Sequence, residues 1–263
     1  MKSISANLNI MMKATEKASK VLIRDFGEVE NLQVSKKGPR DFVTKTDKRV
    51  EKVLIEELGK GKKNYSFITE ESGILNNSDK DSFWIIDPID GTTNFLHGIP
   101  HFAISIGLEH NKEIICGIIY DPIKDEMFTA EKGNGSYLNN QRMRVSSRSK
   151  LKDCIIFTGG PKQDSKEKET ALKEYNNFSS KVLIPIRKLG SASLDMAYVA
   201  AGRCDGFWQR NLNYWDIAAG IILVIEAGGF VTDFHGNNKH IQDKSILVTN
   251  AKINKEMIEI LSG

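Results

Sequence analysis

Trp84-Ile-Ile-Asp87-Pro-Ile-Asp90-Gly-Thr-Thr-Asn-Phe95 decides how this chain folds, because it joins a short apolar run to a turn carrying two carboxylates and two hydroxyls. Phe83 to Ile86 is bulky and rich in β-branched and aromatic side chains, which predicts a buried strand that stops at Asp87-Pro88. Pro88 has no amide to donate and Gly91 tolerates any backbone dihedral, so Asp87 and Asp90 are expected in a tight loop outside regular structure. Two carboxylates three positions apart, with the carbonyl of Ile89 between them, make an all-oxygen donor set that suits magnesium or calcium better than zinc. Gly91, Thr92 and Thr93 then offer amide and hydroxyl donors to an anion. Taken alone, the same pattern also describes a polar turn whose aspartates cap the next element.

Outward from this stretch, further acidic residues recur at element ends. Tyr65-Ser-Phe-Ile-Thr69 predicts a strand that runs directly into Glu70-Glu71-Ser72-Gly73, either a solvated acidic turn or a second acidic strand end converging on the first. Asn213-Tyr-Trp-Asp216 opens a long apolar segment closed by Gly228-Gly229, a buried helix with a glycine stop. Asp216 suits the positive end of that helix, and a carboxylate there also suits a metal site. Pro39-Arg-Asp41-Phe-Val-Thr44-Lys-Thr46-Asp47 leads into an amphipathic helix with Val50, Val53, Leu54 and Leu58 on one face, Thr44 or Thr46 expected as its cap and Asp47 in its first turn.

The remainder alternates α and β signals. Ala103 to Leu108 and Glu113 to Tyr120 predict a hairpin, with a third strand near Met127 to Ala130 and a turn-rich stretch from Gly133 to Asn140. A second half is expected to hold strands around Cys154 to Phe157, Val182 to Ile186 and Ile246 to Thr249, with Asn250 capping a final helix.

Four separated motifs now stand in one order: Asp41-x-Val-Thr-x-x-Asp47, Glu70-Glu71-Ser72, Asp87-Pro-Ile-Asp90-Gly-Thr-Thr-Asn-Phe95, and Trp215-Asp216 with Glu226-Ala-Gly-Gly229. The chain closely resembles the inositol monophosphatase family over nearly its whole length. The resemblance implies the layered α/β/α/β/α sandwich shared by the inositol monophosphatases and fructose-1,6-bisphosphatases. It divides the chain into an N-terminal half, residues 1–145, with most of the metal ligands, and a C-terminal half, residues 146–263, closely packed on it. It also implies magnesium-dependent hydrolysis of a phosphate monoester, inositol 1-phosphate or a related small polyol phosphate, with two to three Mg2+ ions and sensitivity to lithium.

Carried over residue by residue, the resemblance makes Glu70, Asp87 and the Ile89 carbonyl ligands of a first magnesium. Asp90 and Asp216 become ligands of a second, with Asp87 bridging. Asp47 and Thr92, with Glu70, would prepare the attacking water, and the amides of Gly91 and Thr92 would hold the phosphate. Lys36 or Lys37 falls near the place of a third, weaker metal. Ile89, Asp90, Arg187, Gly190, Ser191, Ala192, Gln209 and Asp216 would surround the substrate. One departure stands out: Phe207-Trp208-Gln209-Arg210 supplies a glutamine where many relatives have a glutamate, so its side chain still accepts and now also donates, but brings no charge.

This assignment is chemically coherent. A monoester dianion repels hydroxide and its transition state gathers charge on the phosphoryl and leaving oxygens, two problems that bound cations relieve without a covalent nucleophile. The cysteines Cys116, Cys154 and Cys204 lie in apolar settings with no Cys-x-x-Cys pair, and His97 and His101 flank a Gly-Ile-Pro break that excludes a shared helical face. They read as ordinary reduced thiols and turn-shaping histidines.

With 263 residues and a formal charge of only +3, the chain is long enough for a large core and has no bulk electrostatic drive towards nucleic acid. No apolar run is long enough to span a bilayer and no signal-peptide pattern opens the chain, so a cytoplasmic protein is expected. The partners that the resemblance implies are a small phosphorylated polyol and a second copy of the chain. Fructose 1,6-bisphosphatase, histidinol phosphatase and adenosine bisphosphate phosphatase activities remain open within the family. The basic stretch Arg142 to Lys152 leaves open a regulatory module that keeps the fold and binds RNA or transcription machinery.

Overall fold

The computed structural model describes residues 4–33, 39–160, 168–238, 241 and 244–262. Two helices open the chain, α1 (Ala6–Gln33) and α2 (Pro39–Gly61). The strands β1 (Ser66–Thr69), β2 (Gly73–Leu75), β3 (Ser82–Asp90), β4 (Ala103–His110), β5 (Glu113–Asp121), β6 (Glu126–Glu131), β7 (Gly135–Leu138) and β8 (Gln141–Arg142) follow, with the short helix α3 (Thr92–Leu96) after β3. They form one sheet in the order β2-β1-β3-β4-β5-β6-β7-β8. The rest of the chain gives β9 (Ile156–Thr158), α4 (Lys168–Ser179), α5 (Ala192–Ala200), β10 (Gly206–Arg210), α6 (Tyr214–Glu226), β11 (Phe230–Thr232), β12 (Ser245–Thr249) and α7 (Asn254–Ser262). Their strands make a second sheet, β11-β12-β10-β9.

Side-chain alternation along the strands sets the layers. Trp84 and Ile86 of β3 face α1 and α2, where they join Met11, Leu22, Val50 and Leu54, while Ile85 faces α5 and α6. In the second sheet, Phe207, Ile246 and Val248 meet α5 and α6 from the other side, and Trp208 and Leu247 face outward onto α4 and α7 through Phe178, Met257 and Leu261. The order is therefore helices, sheet, helices, sheet, helices, as the resemblance implied.

The middle layer fixes the geometry below. Gly107 and Gly117 pair across β4 and β5, and a Cβ at Gly117 would stand 2.7 Å from the Ala219 carbonyl. These glycines open a groove in which α6 lies directly on the sheet, which sets the position of Asp216 relative to β3.

Several local expectations change. β3 does not stop at Ile86: it continues to Asp90 with a register shift between Asp87, opposite Ser105, and Asp90, opposite Ala103. A bulge lets the strand absorb Pro88 and still turn both carboxylates the same way. α2 begins at Pro39, so Thr44, Thr46 and Asp47 lie inside the helix rather than at its cap, and Thr46 Oγ1 donates to Asp25 Oδ2 of α1 at 3.0 Å. Pro39 at the first helical position explains the earlier start. β7 occupies part of the turn-rich stretch. Residues 182–186 form no strand; only Arg187 bridges to Phe157. Asn250 Oδ1 accepts from Lys252 and Ile253 amides, capping a turn ahead of α7. Lys36 and Lys37 lie outside the described residues, as does the side chain of Asp41. Among the described residues, no helix is long and apolar enough to cross a membrane.

Candidate metal centre

A cleft of about 370 Å³ opens where the end of β3 meets the N-termini of α5 and α6. Glu70, Asp87, Ile89, Asp90, Gly91, Thr92, Gly190, Ser191, Ala192, Gln209 and Asp216 all line it, so residues spread over most of the sequence converge. Thr93, Gly159, Asp195, Asn211, Leu212 and Asn213 complete the wall. Arg187 and Asp47 do not line it. A larger depression of about 440 Å³ lies between the start of α1 and the β6–β7 hairpin, but among the described residues Glu131 is its single carboxylate. Chemistry rather than volume locates the centre.

Each acidic group is held by identifiable local structure. Asp87 Oδ1 accepts from the Ile89 amide at 3.0 Å, which shapes the bulge. Thr92 Oγ1 donates to the Ile89 carbonyl at 3.0 Å, and Gly91, at φ 98°, turns the chain into α3 with no room for a Cβ beside the His101 carbonyl. Asp216 lies in the first turn of α6 and its Oδ2 accepts from the Asn213 amide at 2.7 Å, so it caps the helix and faces the cleft at once.

Asp90 receives the densest support. Its Oδ2 accepts from Ser191 Oγ at 2.6 Å, the Ser193 amide at 2.7 Å and Ser193 Oγ at 2.5 Å, which seats the carboxylate on the N-terminus of α5. Asn94 Nδ2 donates to the carbonyls of His101 at 2.7 Å and Leu189 at 2.8 Å, tying the loop after β3 to the loop before α5. Glu51 of α2 accepts from the Glu71 amide at 2.9 Å and from Ser72 Oγ at 2.5 Å, fixing the turn that presents Glu70.

Sequence reasoning missed Ser193, Asn94, Glu51 and Asp195. A serine two positions beyond a helix cap was a usable signal for the first, but Glu51 and Asn94 act on partners 20 and 95 residues away, beyond any local pattern, and the buried Asp195 carboxylate has no hydrogen-bond partner among the described residues.

The electrostatics are those of crowded carboxylates. Burial first, then Asp90, Glu70 and Asp216, push the Asp87 carboxyl well above the usual range. Burial raises Asp90 too, opposed by its serine and amide donors, and raises Glu70, opposed by a hydrogen bond shared with Asp87. Asp47 is pushed up to about 8 by burial and by Glu71, Glu70 and Glu51. No lysine or arginine among the described residues lines the cleft. Among the described residues, no three His, Cys, Asp or Glu side chains stand at metal-ligating spacing; Glu70 and Asp87 share a hydrogen bond, and Asp90 and Asp216 each commit one oxygen to protein donors. The donor set nevertheless fits a hard cation: four carboxylates and a carbonyl line the cleft, burial raises the Glu70, Asp87 and Asp90 carboxyls, and no cationic side chain among the described residues lines it to balance them.

The thiols offer no rival chemistry. Cys116, Cys154 and Cys204 are free and buried, and burial pushes the first two up to about 12.

A profile of the inositol monophosphatase family matches residues 5–262. The chain belongs to the inositol monophosphatase family. It is 49% identical over 257 residues to an inositol-1-monophosphatase of Rhizobium meliloti, covering 98% of this chain and 96% of that protein. It is 41% identical to a protein of Escherichia coli K12 named Nus factor SuhB, covering 95% and 94% of the two chains. Among solved structures, an extragenic suppressor protein suhB from Bartonella henselae superposes with a TM-score of 0.91 at 49% identity, over 98% of each chain. As a member of the inositol monophosphatase family, the protein is a phosphatase acting on phosphoric monoesters, and the family is generally metal-dependent.

Proposed function

We propose that the cleft hydrolyses inositol 1-phosphate or a related small polyol phosphate with magnesium. The observation that carries this reading is the convergence of Glu70, Asp87, Asp90 and Asp216 on one wall with no basic side chain among them. Glu70, Asp87 and the Ile89 carbonyl would hold one ion, and Asp90 and Asp216 a second, with Asp87 shared. Bound there, the ions supply an activated water and charge stabilisation for the departing alkoxide.

The chain's own groups do the positioning. Thr92 has committed its hydroxyl proton to the Ile89 carbonyl, which leaves its oxygen as an acceptor for the attacking water. Asp47 lies near Glu70, its Oδ1 is buried without a partner among the described residues, and it serves as the second acceptor. Amides of Gly91 and Thr92, at the bend after β3, hold the phosphoryl oxygens. Gly190, Ser191, Ala192 and Gln209 shape the alcohol side, and Arg187 contributes from outside the lining.

The test is phosphate release from inositol 1-phosphate, fructose 1,6-bisphosphate, histidinol phosphate and adenosine bisphosphate, with magnesium and with chelator. Magnesium-dependent release led by inositol 1-phosphate supports the reading; release unaffected by chelator overturns it. A homodimer is part of the same proposal and is checked by sedimentation.

Similarity to a relative named Nus factor favours a second reading, in which the same fold also binds RNA or transcription machinery through Arg142 and Arg144. Arg148, although partly exposed, is engaged elsewhere: its Nε donates to both oxygens of buried Asp205, at 3.0 and 2.9 Å. Salt-dependent RNA binding lost on reversing Arg142 and Arg144 alone is the expected result of this second reading.

A further inference from the structure

Asp195 is the one acidic side chain of α5. It stands three positions after Ala192 on the same face of that helix, and both residues line the cleft. Asp195 is only 1% exposed, yet neither oxygen of its carboxylate has a hydrogen-bond partner among the described residues. An aspartate near a helix start ordinarily accepts one of the free amides there. Here none is left over. The amides of Ala192 and Ser193 go to Asp90, that of Leu194 to Ser191 Oγ at 3.4 Å, and that of Asp195 itself to the Ser191 carbonyl at 3.0 Å. Cys204 Sγ reaches the main-chain carbonyl of Asp195 rather than its carboxylate. Burial first, then Asp90, push the Asp195 carboxyl well above the usual range, so the neighbour that bears on it is a member of the proposed ligand set.

A buried polar group without a partner weakens a fold, and it calls for a donor that arrives when the site is filled. We propose that Asp195 is a positioning residue for the cation that Asp90 and Asp216 hold, accepting a hydrogen bond from a water bound to that ion. Water on a divalent cation is a strong donor, and a carboxyl accepts from it whether or not it carries its own proton. α5 then serves the centre twice: its first amides fix Asp90, and its one carboxylate orders the outer shell of the ion. The proposal rests on the two-cation reading of the cleft and adds a residue to it.

Thermal unfolding titrated with magnesium reads cation binding without turnover, and phosphate release over the same concentrations reads it a second time. Asp195→Leu keeps the side chain close in size and removes the acceptor. In chelator it should unfold about 3 °C above the wild type, because an unpartnered polar group is gone. Its half-saturating magnesium should nevertheless rise about tenfold in both assays. Asp195→Asn keeps an oxygen acceptor and should stay within about threefold of the wild type. Asp195→Ala should share the magnesium dependence of the leucine variant, which covers the case in which leucine fails to pack. A purely structural role gives the opposite pattern, a lower Tm in chelator with unchanged magnesium dependence. That pattern, or an asparagine variant as weak for magnesium as the leucine one, overturns the proposal and leaves the phosphatase reading standing. A wild-type protein whose Tm does not respond to magnesium overturns both.

Discussion

Ser193→Ala tests how the two halves of the chain share one carboxylate. Ser193 is fully buried and supplies two of the three donors to Asp90 Oδ2, its amide at 2.7 Å and its hydroxyl at 2.5 Å. The substitution removes the hydroxyl and leaves the amide and Ser191 Oγ in place. A hydrogen bond to a charged group contributes about 1.5–3 kcal/mol, and the two surviving donors put the loss at the lower end, about 1.5 kcal/mol. Alanine is the better helix former by about 0.5 kcal/mol, which offsets part of that near the start of α5. The net expectation is a destabilisation of about 1 kcal/mol, or a fall in Tm of about 3 °C for a chain of this size. Urea unfolding in chelator reads the stability. A magnesium titration of phosphate release reads the second consequence, a rise of about tenfold in the half-saturating concentration, since a ligand that loses its supporting donor is less well oriented. An unchanged urea midpoint together with unchanged magnesium dependence would refute the view that α5 holds Asp90 in place.

Asp90→Asn should abolish magnesium-dependent turnover while circular dichroism shows an intact fold; substantial activity at saturating magnesium contradicts the ligand set. Gly117→Ala should destabilise by about 1–3 kcal/mol through overpacking, because its Cβ would meet Ile222 Cγ2 at 2.6 Å and the Ala219 carbonyl at 2.7 Å; an unchanged urea midpoint would show that α6 is not seated by that groove. Arg148→Ala should cost about 2 kcal/mol, since buried Asp205 keeps Ser146, Asn250 and the Ile155 amide but loses its guanidinium; a loss confined to RNA binding would return Arg148 to the basic surface. His101 is held down to about 4 by burial and then by Lys124, so the unfolded chain takes up the proton first. Its contribution to stability is therefore complete above about pH 6.5 and declines as pH falls towards 4. Urea midpoints for the wild type and His101→Asn should keep a constant gap above pH 7 that closes on acidification; a gap independent of pH would remove the assignment.

The sequence by itself determined the reaction class and singled out the carboxylates that line the cleft. Asp87, Asp90 and Glu70 follow apolar strands, and Asp216 opens an apolar helix, all readable because period-two and helical patterning are local. The family's motifs then ordered them into one centre. Element edges were less legible. Pro88 signalled an end to β3, but pairing with β4 carries the strand through a bulge to Asp90, and the contact between Thr46 and Asp25 shows α2 docking on α1 along a length that capping statistics placed outside it. Only the tertiary structure decided what holds the carboxylates. Ser193 reaches Asp90 across 103 residues, Asn94 reaches Leu189 across 95, and Gly107 with Gly117 admits α6 to the sheet. It also decided that Arg148, one basic residue among many in the sequence, pairs with buried Asp205. Local sequence encodes which groups can bind a cation or an anion; their mutual approach depends on packing between distant segments, where a few tenths of a nanometre separate a donor from a bystander.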